Sequence, residues 1–197
     1  MDDKIFIYKG GTLSHYEKNR FKPGTIVKVE DENITKIDEF AFFLSDIKEV
    51  QLHDKVEKIG SGAFLYCTKL ETINFPKGLK TIGDKSFVAC TSLKSIQLPE
   101  GLRKIGKDAF VNCRLLEKVE GYWEGVLEAH HRTDVGESAF YGTRLYELHA
   151  RDNYIIRGMN DDAKNTEDYL EYETYASALV KVVNTIEGSG ANAAIGL

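Results

Sequence analysis

Residues 59–75 read IGSGAFLYCTKLETINF, residues 82–98 read IGDKSFVACTSLKSIQL, and residues 105–121 read IGKDAFVNCRLLEKVEG. They are one pattern repeated at a step of 23 residues. Self-similarity at a period of roughly 20–50 residues marks a repeat architecture, in which each unit is a small piece of supersecondary structure stacked on its neighbours. The fold is therefore decided by this stretch before any local motif is weighed.

Outward from the triplicate, the same grammar continues on both sides. The isoleucine or valine that opens each copy falls at Ile37, Ile59, Ile82, Ile105 and Val135, and the phenylalanine five residues on at Phe42, Phe64, Phe87, Phe110 and Phe140. The steps are 22, 23, 23 and 30, so the last carries about seven extra residues, an insertion at about 121–134. Each copy holds an alternating stretch such as Leu93, Ile96 and Leu98, then Pro99 and Gly101 at a turn, a second extended piece at Leu102 and Ile105, and a bend at Ala109, Phe110 and Cys113. Alternation with period two suits a half-buried strand. One coil cannot bury its own apolar face, but stacked coils can. The expected fold is an α/β repeat solenoid of about five coils over residues 34–149, with a parallel β-sheet on one face.

The ends do not follow the pattern. Residues 1–33, with Ile5 to Tyr8 as a short strand and turns at Gly10, Gly11, Pro23 and Gly24, read as a non-repeat N-terminal β cap over the apolar end of the stack. Residues 150–187 read as a connector and a C-terminal helical cap. Thr166 serves as N-cap, Glu167 and Asp168 occupy the first turn, and Tyr169, Tyr172, Ala176, Leu179, Val183 and Ile186 recur at spacings of three and four. Gly188 ends that helix, and 188–197 read as a flexible tail.

The run Ile-Gly-x-x-Ala-Phe-x-x-Cys-x-x-Leu-x-x-Ile-x-Leu-Pro-x-Gly-Leu, with Ile82 to Leu102 as its fullest copy apart from Ser86 at the alanine place, resembles the BspA-type leucine-rich repeat, also called the Treponema pallidum type. The likeness covers residues 34–149. It is weaker at Ile37 to Leu52, where Asp38 stands in place of the glycine and no cysteine appears, and weakest at Val135 to Leu148. It implies a right-handed solenoid and a binding role in adhesion, host-surface contact or protein interaction. It supplies no catalytic residue.

Composition narrows the partners. With 31 acidic and 26 basic residues the formal net charge is -5, and the basic residues are scattered, which disfavours nucleic acid. No run approaches the roughly 20 apolar residues of a membrane span. The N-terminus, MDDKIFIYKGG, lacks the positive start of a signal peptide. The chain as given reads as cytoplasmic, or as extracellular or cell-surface if a signal has been removed. Three cysteines suit a reducing compartment better than a disulfide framework. The expected oligomeric state is a monomer or weak oligomer.

Four groups of side chains could carry function. Cys67, Cys90 and Cys113 fall in one row of the stack; they read as small buried thiols in a structural ladder with the five phenylalanines, against a redox or metal row. His130 and His131 stand in the insertion beside Tyr122 and Trp123; they read as a partly packed loop, against a metal or acid–base site completed by His149. The acids at 161–173 lack calcium-loop spacing. Aligned strands place Gln51, Asn74, Gln97, Glu120 and His149 in one outward row and Glu49, Thr72, Ser95, Lys118 and Glu147 in another. Beside them Lys48, Glu71, Lys94 and Glu117 alternate in sign and read as register control. The leading reading is a non-enzymatic module that binds a protein partner through the two polar rows and the insertion, with no cofactor and no metal. The alternatives are a metal-dependent site or enzyme at the histidines, and passive cargo recognised through the C-terminal helix and tail.

Overall fold

The computed structural model of the chain describes residues 6–9, 12–15, 22–121 and 133–144. The chain divides into two compact units, Met1–Met159 and Asn160–Leu197, and every described residue belongs to the first. In chain order the strands are β1 (Phe6–Lys9), β2 (Thr12–His15), β3 (Thr25–Val29), β4 (Lys36–Ile37), β5 (Ile47–Leu52) and β6 (Lys58–Ile59). Then follow β7 (Thr72–Ile73), β8 (Thr81–Ile82), β9 (Ser95–Leu98), β10 (Lys104–Ile105), β11 (Lys118–Gly121) and β12 (Asp134–Val135). They wind a parallel-strand solenoid of about four turns. The strand expected at Tyr146 to His149 and the helix expected at 166–187 lie outside the described residues.

The Ile-Gly step sets the spacing between turns. The isoleucines end the two-residue strands β4, β6, β8 and β10, which pair in parallel so that Ile37, Ile59, Ile82 and Ile105 stack, with Val135 of β12 on top. The glycine that follows is squeezed between turns. A Cβ on Gly83 would lie 2.6 Å from the Gly60 carbonyl carbon and from the Ser61 nitrogen, closer than any side chain can stand. β2 joins β4 in parallel and pairs with β1 antiparallel, completing a seven-stranded sheet.

Inside the coils the phenylalanines form a column of parallel rings. Centroids of Phe42, Phe64, Phe87 and Phe110 follow one another at 5.0 Å, and Phe110 and Phe140 lie 5.2 Å apart. All five are fully buried. At that separation, nearly parallel rings are offset, the arrangement that the ring quadrupole favours.

A third side, between the Ile-Gly step and the cysteine position, is neither strand nor helix. It alternates through left-handed residues twice per turn: Lys85 and Ala89 at φ 56° and 58°, Asp108 and Asn112 at 56° and 60°. Such conformations cost about 1–2 kcal/mol each for a residue with a Cβ. The return is a backbone ladder to the next turn, in which the Lys85, Phe87 and Ala89 amides donate to the Lys107, Ala109 and Val111 carbonyls at 2.7–2.8 Å. The same three bonds recur from Gly62, Phe64 and Tyr66 to Asp84, Ser86 and Val88.

The face singled out from the sequence is not one sheet. β3, β5 and β7 form one ladder and β9 and β11 another, with no pairing between β7 and β9. Within the stretch expected to be an N-terminal β cap, β3 is a rung of this face, joined in parallel to β5. β7 is also the shortest rung of this face, with two residues. Phe75 stands where neighbouring turns carry Leu52 and Leu98, and its ring packs edge-on against Phe87 and Phe110 at 5.7 and 6.4 Å. The adjoining Asn74 side chain occupies backbone groups of Leu52 that a longer β7 would have taken.

The seven extra residues do not shift the stack. The chain leaves at Gly121 and returns in register, with Asp134 opposite Lys104 and the Asp134 amide donating to the Arg103 carbonyl at 2.8 Å. In the middle of the column, Phe87→Ala should cost about 3–5 kcal/mol. Gly83→Ala should cost about 1–3 kcal/mol although it adds a single methyl, because backbone is all it can push against. Chemical denaturation reads both; a Gly83→Ala variant as stable as the parent would show that the turns are not in close contact there.

Candidate partner-binding face

The two ladders carry the outward rows in the expected register. Glu49 lies opposite Thr72, Ser95 opposite Lys118, and Gln97 opposite Glu120. β3 lengthens both rows by a residue, Lys28 beside Gln51 and Ile26 beside Glu49. Ile26 is 51% exposed, a large apolar side chain at the end of a polar surface.

Several of these side chains are already engaged. The Gln51 amide donates to Glu49 Oε1, and Lys118 pairs with Glu120, both along their own strands. Lys48 reaches Glu71 on the next turn at 3.5 Å, and Glu117 is met by Arg144 at 3.4 Å. These pairs are about half exposed, so each contributes a few tenths of a kcal/mol, enough to bias register and little more.

Asn74 is the largest departure from the sequence reading. Its Oδ1 accepts from the Leu52 amide and its Nδ2 donates to the Leu52 carbonyl, both at 2.7 Å. The side chain stands in for a rung of backbone, so a partner would have to compete with those two bonds. Thr72, Ser95 and Gln97, by contrast, are exposed and make no side-chain hydrogen bond among the described residues. They sit where the two ladders part. All three are uncharged, although Glu49, Lys118 and Glu120 stand opposite them in the same rows, so a partner can displace the water on the trio itself at low cost.

The remaining candidates, Tyr122, Trp123, His130, His131, Glu147 and His149, lie outside the described residues, and with them the proposed histidine site. Among the described residues no group of three His, Cys, Asp or Glu side chains is placed to hold a metal ion.

Cys67, Cys90 and Cys113 are fully buried free thiols. Each S–H donates across the stack to the phenylalanine carbonyl of the preceding turn: Cys67 to Phe42 at 2.9 Å, Cys90 to Phe64 at 3.2 Å, Cys113 to Phe87 at 3.0 Å. Burial pushes the Cys67 and Cys90 thiols well above their ordinary range, since a thiolate there would have no water. In the alanine position of the same bend, Ser86 holds a fully buried hydroxyl with no partner, a polar cost the other turns avoid with Ala41, Ala63, Ala109 and Ala139.

The model of the BspA type leucine rich repeat region matches residues 17–126 in six copies, more than half of the chain. The chain belongs to this family. Its turns are those of BspA-type repeats, with the column of phenylalanines and the cysteine position. Among solved structures it is similar to the Treponema pallidum leucine-rich repeat protein TpLRR, at 27% identity and a TM-score of 0.60 over 72% of this chain and 66% of that one. It is also similar to PcpA, titled a pneumococcal vaccine antigen, at 26% identity and a TM-score of 0.51, covering 58% of this chain and 28% of that one. The chain thus spans just under two thirds of the first and under a third of the second. The comparison with curated proteins finds no match. No helix among the described residues is long and apolar enough to cross a membrane.

A thiol-reactive dye should label none of the three cysteines in the native protein and all three after unfolding; rapid native labelling would contradict their burial. Because the folded-state pKa values of Cys67 and Cys90 lie above the unfolded ones, these two thiols stabilise the fold fully below about pH 8.5, and that contribution is lost as pH rises past it toward the folded-state values. Asn74→Ala should lower stability by about 1–2 kcal/mol while Gln97→Ala changes it by less than about 0.5 kcal/mol. Equal effects in a denaturant titration would remove the distinction between the two amides.

Proposed function

We propose that this BspA-type repeat is a non-enzymatic adhesion or interaction module that binds a protein partner through the face where its two strand ladders part. The observation that carries this reading is the exposed, unengaged trio Thr72, Ser95 and Gln97, set on a backbone held rigid by the phenylalanine column. Partner groups can bond to hydroxyls and an amide without stripping water from a charge, and a rigid base adds little ordering cost. Around the trio, Glu49, Gln51, Lys118 and Glu120 form a charged margin, and Ile26 offers an apolar contact.

The insertion at about 121–134 is the second element of the surface. It leaves the coil at Gly121, at the end of β11 on this face, and brings Tyr122, Trp123, His130 and His131, residue types that interfaces prefer or that can switch charge. Glu147 and His149, which the sequence aligns with these rows, are the remaining candidates. Identical turns cannot tell one partner from another, so specificity belongs to the residues that differ between copies. Likeness to a protein titled a vaccine antigen supports a cell-surface or extracellular location for this chain.

The test uses the whole chain immobilised against a panel of extracellular-matrix proteins. Replacing Thr72, Ser95 and Gln97 together with arginine should weaken binding to the recognised protein at least tenfold, about 1.4 kcal/mol, with the thermal midpoint unchanged. Undiminished binding by a folded triple variant rules out this face.

A further inference from the structure

We infer that Asn33 is an N-glycosylation site, the acceptor of a preassembled glycan carried on a polyprenyl pyrophosphate and transferred by an oligosaccharyltransferase. Asn33-Ile34-Thr35 is the only Asn-x-Ser/Thr triplet in a chain with nine asparagines. Such a triplet arises readily by chance, so its place in the fold has to carry the argument.

That place is an exposed turn between β3 and β4, closed by the Ile34 amide donating to the Asp31 carbonyl at 2.9 Å. Asn33 and Thr35 both face solvent while Ile34 is buried. Packing does not explain the choice of Thr35. The equivalent places in later turns hold Glu57, Lys80 and Arg103, charged residues of which Glu57 and Lys80 pair across the stack. Thr35 leaves that charged row, and its hydroxyl has no partner among the described residues. Nor is asparagine required by the turn, since Lys55, Gly78 and Gly101 stand in its place elsewhere. Two residues before Asn33 stands Asp31. In the folded chain its Oδ1 accepts from the Asn33 backbone amide at 2.9 Å and from Nδ2 at 2.8 Å.

In the transfer the Asn33 Nδ2 forms a bond to the anomeric carbon of the glycan. The anomeric C–O bond to phosphate breaks, the polyprenyl pyrophosphate leaves with the electron pair, and Nδ2 gives up one proton to solvent. The product amide keeps one N–H, so the bond to Asp31 can persist. Because Ile34 is buried and its amide is bonded, the triplet is extended only before this turn closes, so transfer precedes completion of the first coil. The glycan then stands in solvent.

This inference rests on the surface reading, because oligosaccharyltransferases act on exported chains, and the test separates the two. The full chain is recovered from its native host in exported and internal fractions and cleaved with trypsin, which releases Val29 to Lys36. The exported chain should carry a glycan mass on that peptide, absent in Asn33→Gln and Thr35→Ala and retained in Thr35→Ser. An exported chain with a bare Asn33 peptide, or a mass that survives Asn33→Gln, overturns the inference alone. A chain found only inside the cell overturns it together with the surface reading.

Discussion

Every turn of this solenoid must stand about 5 Å from the next, the spacing between hydrogen-bonded strands, and the sequence repeats because that distance does. Phenylalanine rings whose centroids lie 5.0 Å apart satisfy the spacing inside the coil. Glycine satisfies it at the strand ends, where a Cβ would strike the neighbouring backbone. The left-handed bends satisfy it on the third side by turning alternate amides toward the next turn. A change that enlarges the spacing at one of these places loosens the other two, because all three are edges of the same coil.

What the spacing demands of every turn was legible in the sequence. The isoleucine, phenylalanine and cysteine columns, the register of the outward rows and the BspA-type resemblance all follow from residues that recur at one period. The left-handed bends were not legible, because their positions hold Phe40, Gly62, Lys85, Asp108 and Ser138, which share no residue type. The conformation there is imposed by backbone bonds between turns and not by local propensity.

The split in the candidate face was hidden for a different reason. The rung beside it carries two substitutions that look conservative in an alignment of the copies, leucine to Phe75 and glutamine to Asn74. Asparagine is one methylene shorter than the Gln51 and Gln97 that occupy the same row, so its amide reaches the Leu52 backbone where a glutamine amide would pass beyond it. A pattern that counts both as outward polar residues therefore assigned a structural bond to the binding surface. The correction narrows the described face to residues on either side of the break.

The deviations from the repeat are thus of two kinds, and their hydrogen bonds tell them apart. Asn74 deviates and is fully engaged, so its departure is explained by the stack itself. Thr35 also deviates, in a row that elsewhere is charged, yet its side chain is unengaged; Thr72, Ser95 and Gln97 are likewise free where their neighbours pair. A solenoid gains nothing in stability from an exposed side chain with no partner inside the fold. Such positions are where selection for something outside the fold can act at little structural cost, and among the described residues Thr35, beside Asn33, and the trio at the break between the ladders are of this kind.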